Sequence, residues 1–307
     1  MKKENKSPFL ISVCVITYNH AKYVRAALES IFNQQTTYSF EVIIADDCSK
    51  DGTIEILKEY QFRYGDQCRL LLQEANKGAA NNFLDLLREA SGKYIAYLEG
   101  DDFWTDSHKL QKQVDFLIQH HEYTGCFHNT AIVDEEGQFV RLFLKEPIET
   151  EINQRDLVTA KTSSIGHTNS FVFLSECVCS PPAYFTAAPY DRLLAFLIAE
   201  KGKWGGMPDV MSAYRINQGG VYNSIGEIKQ VKTMVAIFNA IAADEKNHSR
   251  YAIELKERLS FYHHRLMQLY KAEKNKTEYI KHLMRYVSLK EKNLSLFKIL
   301  IKEELFA

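Results

Sequence analysis

Three carboxylates fall within four residues in Tyr97-Leu98-Glu99-Gly100-Asp101-Asp102-Phe103-Trp104, directly after an apolar run from Tyr94 to Leu98. Charges held so close repel one another unless water, a basic side chain or a hard cation relieves them. Oxygen ligands of this kind suit Mg2+ or Mn2+. Taken alone, the cluster is equally readable as a solvated acidic turn. Its position among the neighbouring elements decides between the two.

The first hundred residues alternate short apolar runs rich in β-branched residues with segments of helical period, the pattern of a parallel sheet flanked by helices. Strands are expected at Ile11 to Thr17, Phe40 to Ala45, Cys68 to Gln73 and Lys93 to Leu98. Helices are expected over His20 to Asn33, from Asp51-Gly52-Thr53 onward, and over Ala80 to Ala90. Nearly continuous apolar strands imply burial on both faces.

Each strand is followed at once by polar residues: Thr17-Tyr18-Asn19, Asp46-Asp47, Asn76-Lys77-Gly78, then Glu99 to Asp102. In open α/β sheets the ligand crevice lies outside the carboxyl ends of the strands. Four polar clusters at one sheet edge therefore read as a site, which favours the metal interpretation of the acidic turn. The first turn, Thr17 to Tyr23, contains no glycine, so neither a dinucleotide fingerprint nor a P-loop is present.

Beyond Trp104, Asp106 or Ser107 is expected to cap a helix bearing Leu110, Val114, Leu117 and Ile118 on one face. Asp191 stands before an amphipathic helix, Arg192 to Lys201, which it is able to cap. From Gly226 the pattern is helical throughout, with about six more Lys and Arg than Asp and Glu, and a boundary is expected near 225. In that tail Leu255, Leu259, Tyr262, Leu266 and Leu269 recur at helical spacing and are followed by Lys271, Lys274, Lys276, Lys281 and Arg285.

The formal net charge of -1 over 307 residues gives no overall basic field, and no nucleic-acid partner is expected. No apolar stretch approaches the roughly 20 residues of a spanning helix, and the start carries no convincing signal peptide, so a cytoplasmic protein is expected. Six cysteines without a C-x-x-C pair read as reduced thiols in or beside the core. A zinc site from Cys126, His128, Cys177 and Cys179 has the wrong ligand spacing.

With these clusters in place, the chain resembles the family 2 glycosyltransferases of the GT-A fold, in particular bacterial enzymes that build surface polysaccharides. The resemblance runs over roughly residues 9 to 225. Val13 to Asn19 is similar to the family's opening strand and nucleotide-contacting turn. Ile43 to Thr53 is similar to its second-strand motif, with Cys48 in place of the usual Gly. Asn76-Lys77-Gly78 with Asn82 resembles the next segment, and Glu99-Gly100-Asp101-Asp102 stands where the family carries its metal-binding acids. Tyr190 to Leu194 resembles the segment supplying the catalytic base, and Tyr214 to Val221, with Arg215, the loop over the sugar donor's diphosphate. Many relatives carry His where this chain has Asn217.

The resemblance implies an α/β GT-A-like, mainly parallel sheet flanked by helices, with a catalytic domain over 1–225 and a helical region over 226–307. It implies metal-dependent, inverting transfer of a sugar from a nucleotide-diphosphate donor, UDP being the expected nucleotide, to a glycan or lipid-linked acceptor. Asp101 and Glu99 are the expected ligands of Mn2+ or Mg2+, with Asp102 supporting the metal or the sugar. The nucleobase is expected beside Thr17, Tyr18 and either Asp46 or Asp47, the sugar under Trp104, and the base at Asp191. Trp104 is equally readable as a core aromatic. The tail is expected to pack on the catalytic domain or a second copy, the alternative being peripheral contact with anionic lipid at the cytoplasmic membrane face. A sugar nucleotidyltransferase and a non-catalytic nucleotide- or carbohydrate-binding scaffold are the competing readings.

Overall fold

The computed structural model describes residues 9–145, 148–159, 165–186, 190–217 and 226–290. The chain divides into two compact units. The first comprises Met1–Gln154, Thr162–Pro182 and Leu194–Asn217, and the second Arg155–Lys161, Ala183–Leu193 and Gln218–Ala307.

The first unit opens with β1 (Ile11–Thr17), α1 (Val24–Phe32), β2 (Phe40–Asp46), α2 (Thr53–Tyr64), β3 (Cys68–Leu72), α3 (Ala79–Glu89) and β4 (Tyr94–Glu99). These follow the expected order, and the strand limits agree to within a residue. All seven residues of β1 are buried, because β2 and β4 flank it in parallel and helices cover both faces. Val13, Val15, Val24, Leu28, Val42, Ile44 and Leu98 meet in one apolar cluster; each such side chain contributes about 1.5–3 kcal/mol on full burial. At the opposite, amino-terminal end of the strands, the buried Glu41 carboxylate accepts from Ser12 Oγ (2.7 Å), Ser91 Oγ (2.6 Å) and Arg69 Nη2 (3.1 Å), so its charge is fully compensated.

Further along come β5 (Phe103–Trp104), α4 (Lys109–Gln119), β6 (Tyr123–Val133), β7 (Phe139–Leu142), β8 (Glu151–Ile152), α5 (Gln154–Thr159), β9 (Val172–Leu174), α6 (Tyr190–Ile198) and β10 (Lys203–Arg215). The sheet order is β3-β2-β1-β4-β9-β6-β10-β5, with β7 on β6 and β8 on β10. The strands β3, β2, β1 and β4 are parallel, so the polar residues after each lie on one edge. In register, Thr17 faces Asp46 on one side, and Ile16 faces Glu99 on the other. The chain is thus α/β with the GT-A-like, mostly parallel sheet and a helical C-terminal region.

Three helix limits differ from expectation. Residues 20–23 form a turn, with His20 O accepting from Tyr23 N and Val24 N, so α1 starts at Val24. α4 starts at Lys109 without a side-chain cap, while Asp106 Oδ1 accepts from His108 N at 2.7 Å. α6 starts at Tyr190 and so includes Asp191. The described cysteines are free thiols; Cys179 is exposed rather than in the core.

In the second unit, α7 (Glu227–Ala243), α8 (Glu245–Ala272) and α9 (Lys276–Leu289) pack in sequence. Asp244 caps α8 and Asn275 caps α9. The stripe expected on the tail is covered inside the unit: Leu266 is buried with Val231 and Tyr270, and Tyr262 and Leu269 pack against them. Lys271, Lys274, Lys276, Lys281 and Arg285 remain exposed. Among the described residues, no helix is long and apolar enough to cross a membrane.

Candidate functional site

The strand β4 ends at Glu99, and the chain turns through Gly100-Asp101-Asp102 before β5 pairs antiparallel with Ser212 and Ala213 of β10. This return pins the acidic turn between two strands. At Gly100 a Cβ would lie 3.0 Å from Thr17 Oγ1 and from His20 Nδ1, so any larger residue there would press on both side chains. The carboxylate of Asp102 is buried, accepting from Arg215 N (3.0 Å) and Asn169 Nδ2 (2.7 Å). Burial, followed by the charges of Asp101 and Glu99, holds its pKa well above the ordinary Asp value despite those two bonds.

One ligand atom from each of Glu99, Asp102 and His167 lies within 4.8 Å of the other two. His167 comes from the segment before β9, distant in sequence, and sequence reading missed it. Its ring stacks on Tyr214 at 4.3 Å. Burial lowers its pKa to about 4, which keeps the imidazole neutral and able to ligate. The two carboxylates suit Mn2+ or Mg2+, the imidazole favours the transition metal Mn2+ of the two, and a cation would relieve the repulsion from Asp101 and Glu99 that adds to burial in raising Asp102. Thr168 Oγ1 donates to Glu99 Oε1 at 2.6 Å, orienting that carboxylate.

Asp101 belongs to the same charged neighbourhood but outside this triplet. Its Oδ2 accepts from Asn217 Nδ2 at 2.9 Å and lies 3.8 Å from His20 Nε2. The atoms that converge are those of Glu99, Asp102 and His167, with Glu99 the member shared with the expected pair Asp101 and Glu99. Arg215, expected over a diphosphate, is 8% exposed. Its guanidinium donates to the carbonyls of Asp101 (3.2 Å), Glu135 (2.7 Å) and Asp134 (3.5 Å). It therefore shapes the acidic turn instead of facing outward. Residues 218–221 of the expected loop lie outside the described residues.

On the neighbouring strands, Asp46 is sealed, its two oxygens accepting from Ser49 N (2.8 Å) and Ser49 Oγ (2.5 Å). Ser49 Oγ in turn accepts from Asn19 N at 2.8 Å, and Asn19 takes a left-handed φ of 56°. Asp47 accepts from Lys77 N (2.7 Å) and Gly78 N (2.9 Å), so it holds the turn that carries Asn76. Asn82 is engaged internally: its Nδ2 donates to Ala45 O, and its Oδ1 accepts from Gln73. Tyr18 is 45% exposed and Thr17 is buried.

Of the two readings open for Trp104, sugar contact or core aromatic, the structure places it in the core. It is 4% exposed, its Nε1 donates to Asn169 O at 3.1 Å, and Lys109 Nζ stands 4.3 Å from its ring centroid. Asp191 lies in the first turn of α6, within the second unit. Its side chain is exposed. Among the described residues, Cys126, His128, Cys177 and Cys179 form no metal cluster.

A family model described as Glycosyl transferase family 2 matches residues 12–173. An uncharacterized protein of Mycobacterium tuberculosis is 36% identical over 222 residues, covering 70% of this chain and 61% of that one. WfgD of Escherichia coli, named as a UDP-Glc:alpha-D-GlcNAc-diphosphoundecaprenol beta-1,3-glucosyltransferase, is 31% identical over 135 residues, covering 43% of this chain and 51% of WfgD. The chain thus spans between about half and about three fifths of these relatives' lengths. The crystal structure of S. aureus TarS 1-349 with UDP-GlcNAc superimposes with a TM-score of 0.63 at 19% identity, covering 91% of this chain and 81% of that one. The mannosyltransferase PcManGT from Pyrobaculum calidifontis, in complex with GDP-Man and Mn2+, gives a TM-score of 0.56 at 18% identity, covering 97% and 80%.

Proposed function

The chain belongs to glycosyl transferase family 2, and from that premise we propose that it moves a sugar from a nucleotide-diphosphate donor, UDP-linked, to a glycan or lipid-linked acceptor in surface polysaccharide synthesis, with inversion at the anomeric carbon. The observation that carries the reading is the convergence of Glu99, Asp102 and His167 at the carboxyl end of β4, beside the turns that follow β1 and β2. Residues 1–225 form the catalytic domain in this reading, and 226–307 a helical region.

Glu99, Asp102 and His167 would hold Mn2+ or Mg2+, which when bound supplies positive charge against the departing diphosphate. Asp101 adds charge to the same centre, while Arg215 and Asn217 keep the acidic turn in place. The nucleobase lies by Tyr18 and the 76–78 turn. Asp46 or Asp47 is the carboxylate that would accept its imide hydrogen. Asn19 and Asn82 position these turns from behind. Asp191 takes the acceptor hydroxyl's proton as the new carbon–oxygen bond forms and the bond to the diphosphate breaks. The exposed Lys271, Lys274, Lys276, Lys281 and Arg285 offer a basic face to anionic lipid, bringing the protein to the cytoplasmic side of a membrane.

Asp191→Asn tests the assignment of the base. It keeps the shape and capping ability of the side chain but removes the proton acceptor, so UDP binding should persist while transfer falls by about two or more orders of magnitude. Near-normal transfer with unchanged UDP affinity would reduce Asp191 to a helix cap.

A further inference from the structure

Asn169 lies in the short helical turn Thr168–Ser170 and is 0% exposed. Every polar atom of its side chain is engaged. Nδ2 donates to Asp102 Oδ2 at 2.7 Å and to Ala213 O at 3.3 Å. Oδ1 accepts from Ser212 Oγ at 2.8 Å and Thr130 Oγ1 at 3.1 Å. The direction of the amide is fixed by this arrangement, since a backbone carbonyl accepts only and must face the NH2 group. The two hydroxyls stand 2.9 Å apart on neighbouring strands, Thr130 on β6 and Ser212 on β10.

Its backbone is engaged as well. Asn169 N donates toward His167 Nδ1 at 3.4 Å, and Asn169 O accepts from Trp104 Nε1 at 3.1 Å. The next residue is anchored in the same manner, Ser170 O accepting from Gln113 Nε2 at 2.8 Å. A buried, saturated amide with one side on a carboxylate and its main chain beside an imidazole is more than packing requires. An apolar residue of similar shape would leave the two hydroxyls to bond each other.

We infer that Asn169 is the positioning residue of the acidic centre, its side chain holding the Asp102 carboxylate in the orientation that β6 and β10 impose through Thr130 and Ser212. The inference rests on the reading of Glu99, Asp102 and His167 as a metal centre, but its geometric part does not need the metal. Partners that orient metal ligands are typically worth 10–100-fold in metal affinity.

The test uses the full chain, with Mn2+ as probe, and two variants: Asn169→Ala, and the paired Thr130→Val with Ser212→Ala, which touches no proposed ligand and serves if the first fails to fold. Mn2+ affinity, read by electron paramagnetic resonance on protein shown to unfold cooperatively, should fall about 10–100-fold in the first variant and by a smaller factor in the second. A crystal structure of the metal-free variant should show the Asp102 carboxylate rotated from its wild-type orientation. Wild-type Mn2+ affinity in the folded variants, or an unmoved Asp102 in the metal-free crystal, overturns the inference. A wild-type chain that binds no Mn2+ removes the metal reading instead, and the metal-free crystal then decides the positioning role alone.

Discussion

Arg215 grips the acidic turn from both sides of the peptide chain: its backbone N–H donates to the Asp102 carboxylate at 3.0 Å, and its guanidinium Nε donates to the carbonyl of Asp101 at 3.2 Å. The same guanidinium reaches the carbonyls of Asp134 and Glu135 and lies over the rings of Tyr23 and Phe103. The carboxyl end of β10 therefore sets the position of residues that belong to the end of β4.

Arg215→Lys is expected to behave as a disruptive substitution. An ammonium donates from one point and cannot span three carbonyls as a planar guanidinium does. Leaving these part-buried carbonyls without their donor should lower stability in denaturant unfolding, by at most about 1–3 kcal/mol, with Mn2+ binding weakened in the same protein. Unchanged stability together with unchanged Mn2+ affinity would show that the clamp is dispensable.

Lys109 is fully buried, with Nζ donating to Gln113 Oε1 at 2.7 Å. Burial lowers its pKa from 10.5 to about 7. The unfolded chain therefore binds more protons than the folded one between those values, and stability attributable to this group rises as pH rises from about 7 to 10.5. Lys109→Met should raise the melting temperature at pH 7 and flatten that dependence. Melting curves from pH 7 upward read both, and a destabilised Met variant would mean that the contact with Trp104 outweighs the cost of burial.

In the second unit His263 Nδ1 and His282 Nδ1 are 2.9 Å apart, and one hydrogen between them requires the accepting ring to be neutral, so the two rings are not both protonated. Burial, then the charges of His282 and Arg285, lowers His263 from 6.5 to about 4. Around His282, Glu278 opposes its downward shift while burial, Lys281, Lys232 and Arg285 favour it. The folded state thus resists protonation that the unfolded chain accepts, so stability is full above pH 6.5 and is lost as pH falls toward 4. Thermal melts of the wild type should decline across that window, whereas His263→Asn should show a flatter profile; parallel profiles would contradict the assignment.

The four parallel strands were legible because each is a nearly unbroken apolar run, as in Ile11 to Thr17, and burial on both faces leaves no other composition. The shared edge followed from order alone, which is why Thr17, Asp47 and Glu99 could be gathered before any coordinates. What escaped sequence reading depends on pairing between distant segments. His167 and Asn169 reach Asp102 only because β9 enters antiparallel between β4 and β6, and nothing local in His167-Thr168-Asn169-Ser170 announces that. Trp104 was ambiguous for a related reason: whether an aromatic after an acidic turn faces out or in depends on β10, more than a hundred residues away.

Production of free UDP is the most direct test of the account. The full chain is incubated with Mn2+ and a panel of UDP-sugars, with and without lipid-linked glycan acceptors, beside Asp101→Ala and His167→Ala proteins shown by circular dichroism to be folded. The account predicts Mn2+-dependent UDP release by the wild type from at least one UDP-sugar, abolished by chelation and reduced by about two or more orders of magnitude in both variants. UDP release by the variants at the wild-type rate across a range of Mn2+ concentrations, or a wild type that neither binds UDP nor releases it with any UDP-sugar, would contradict it.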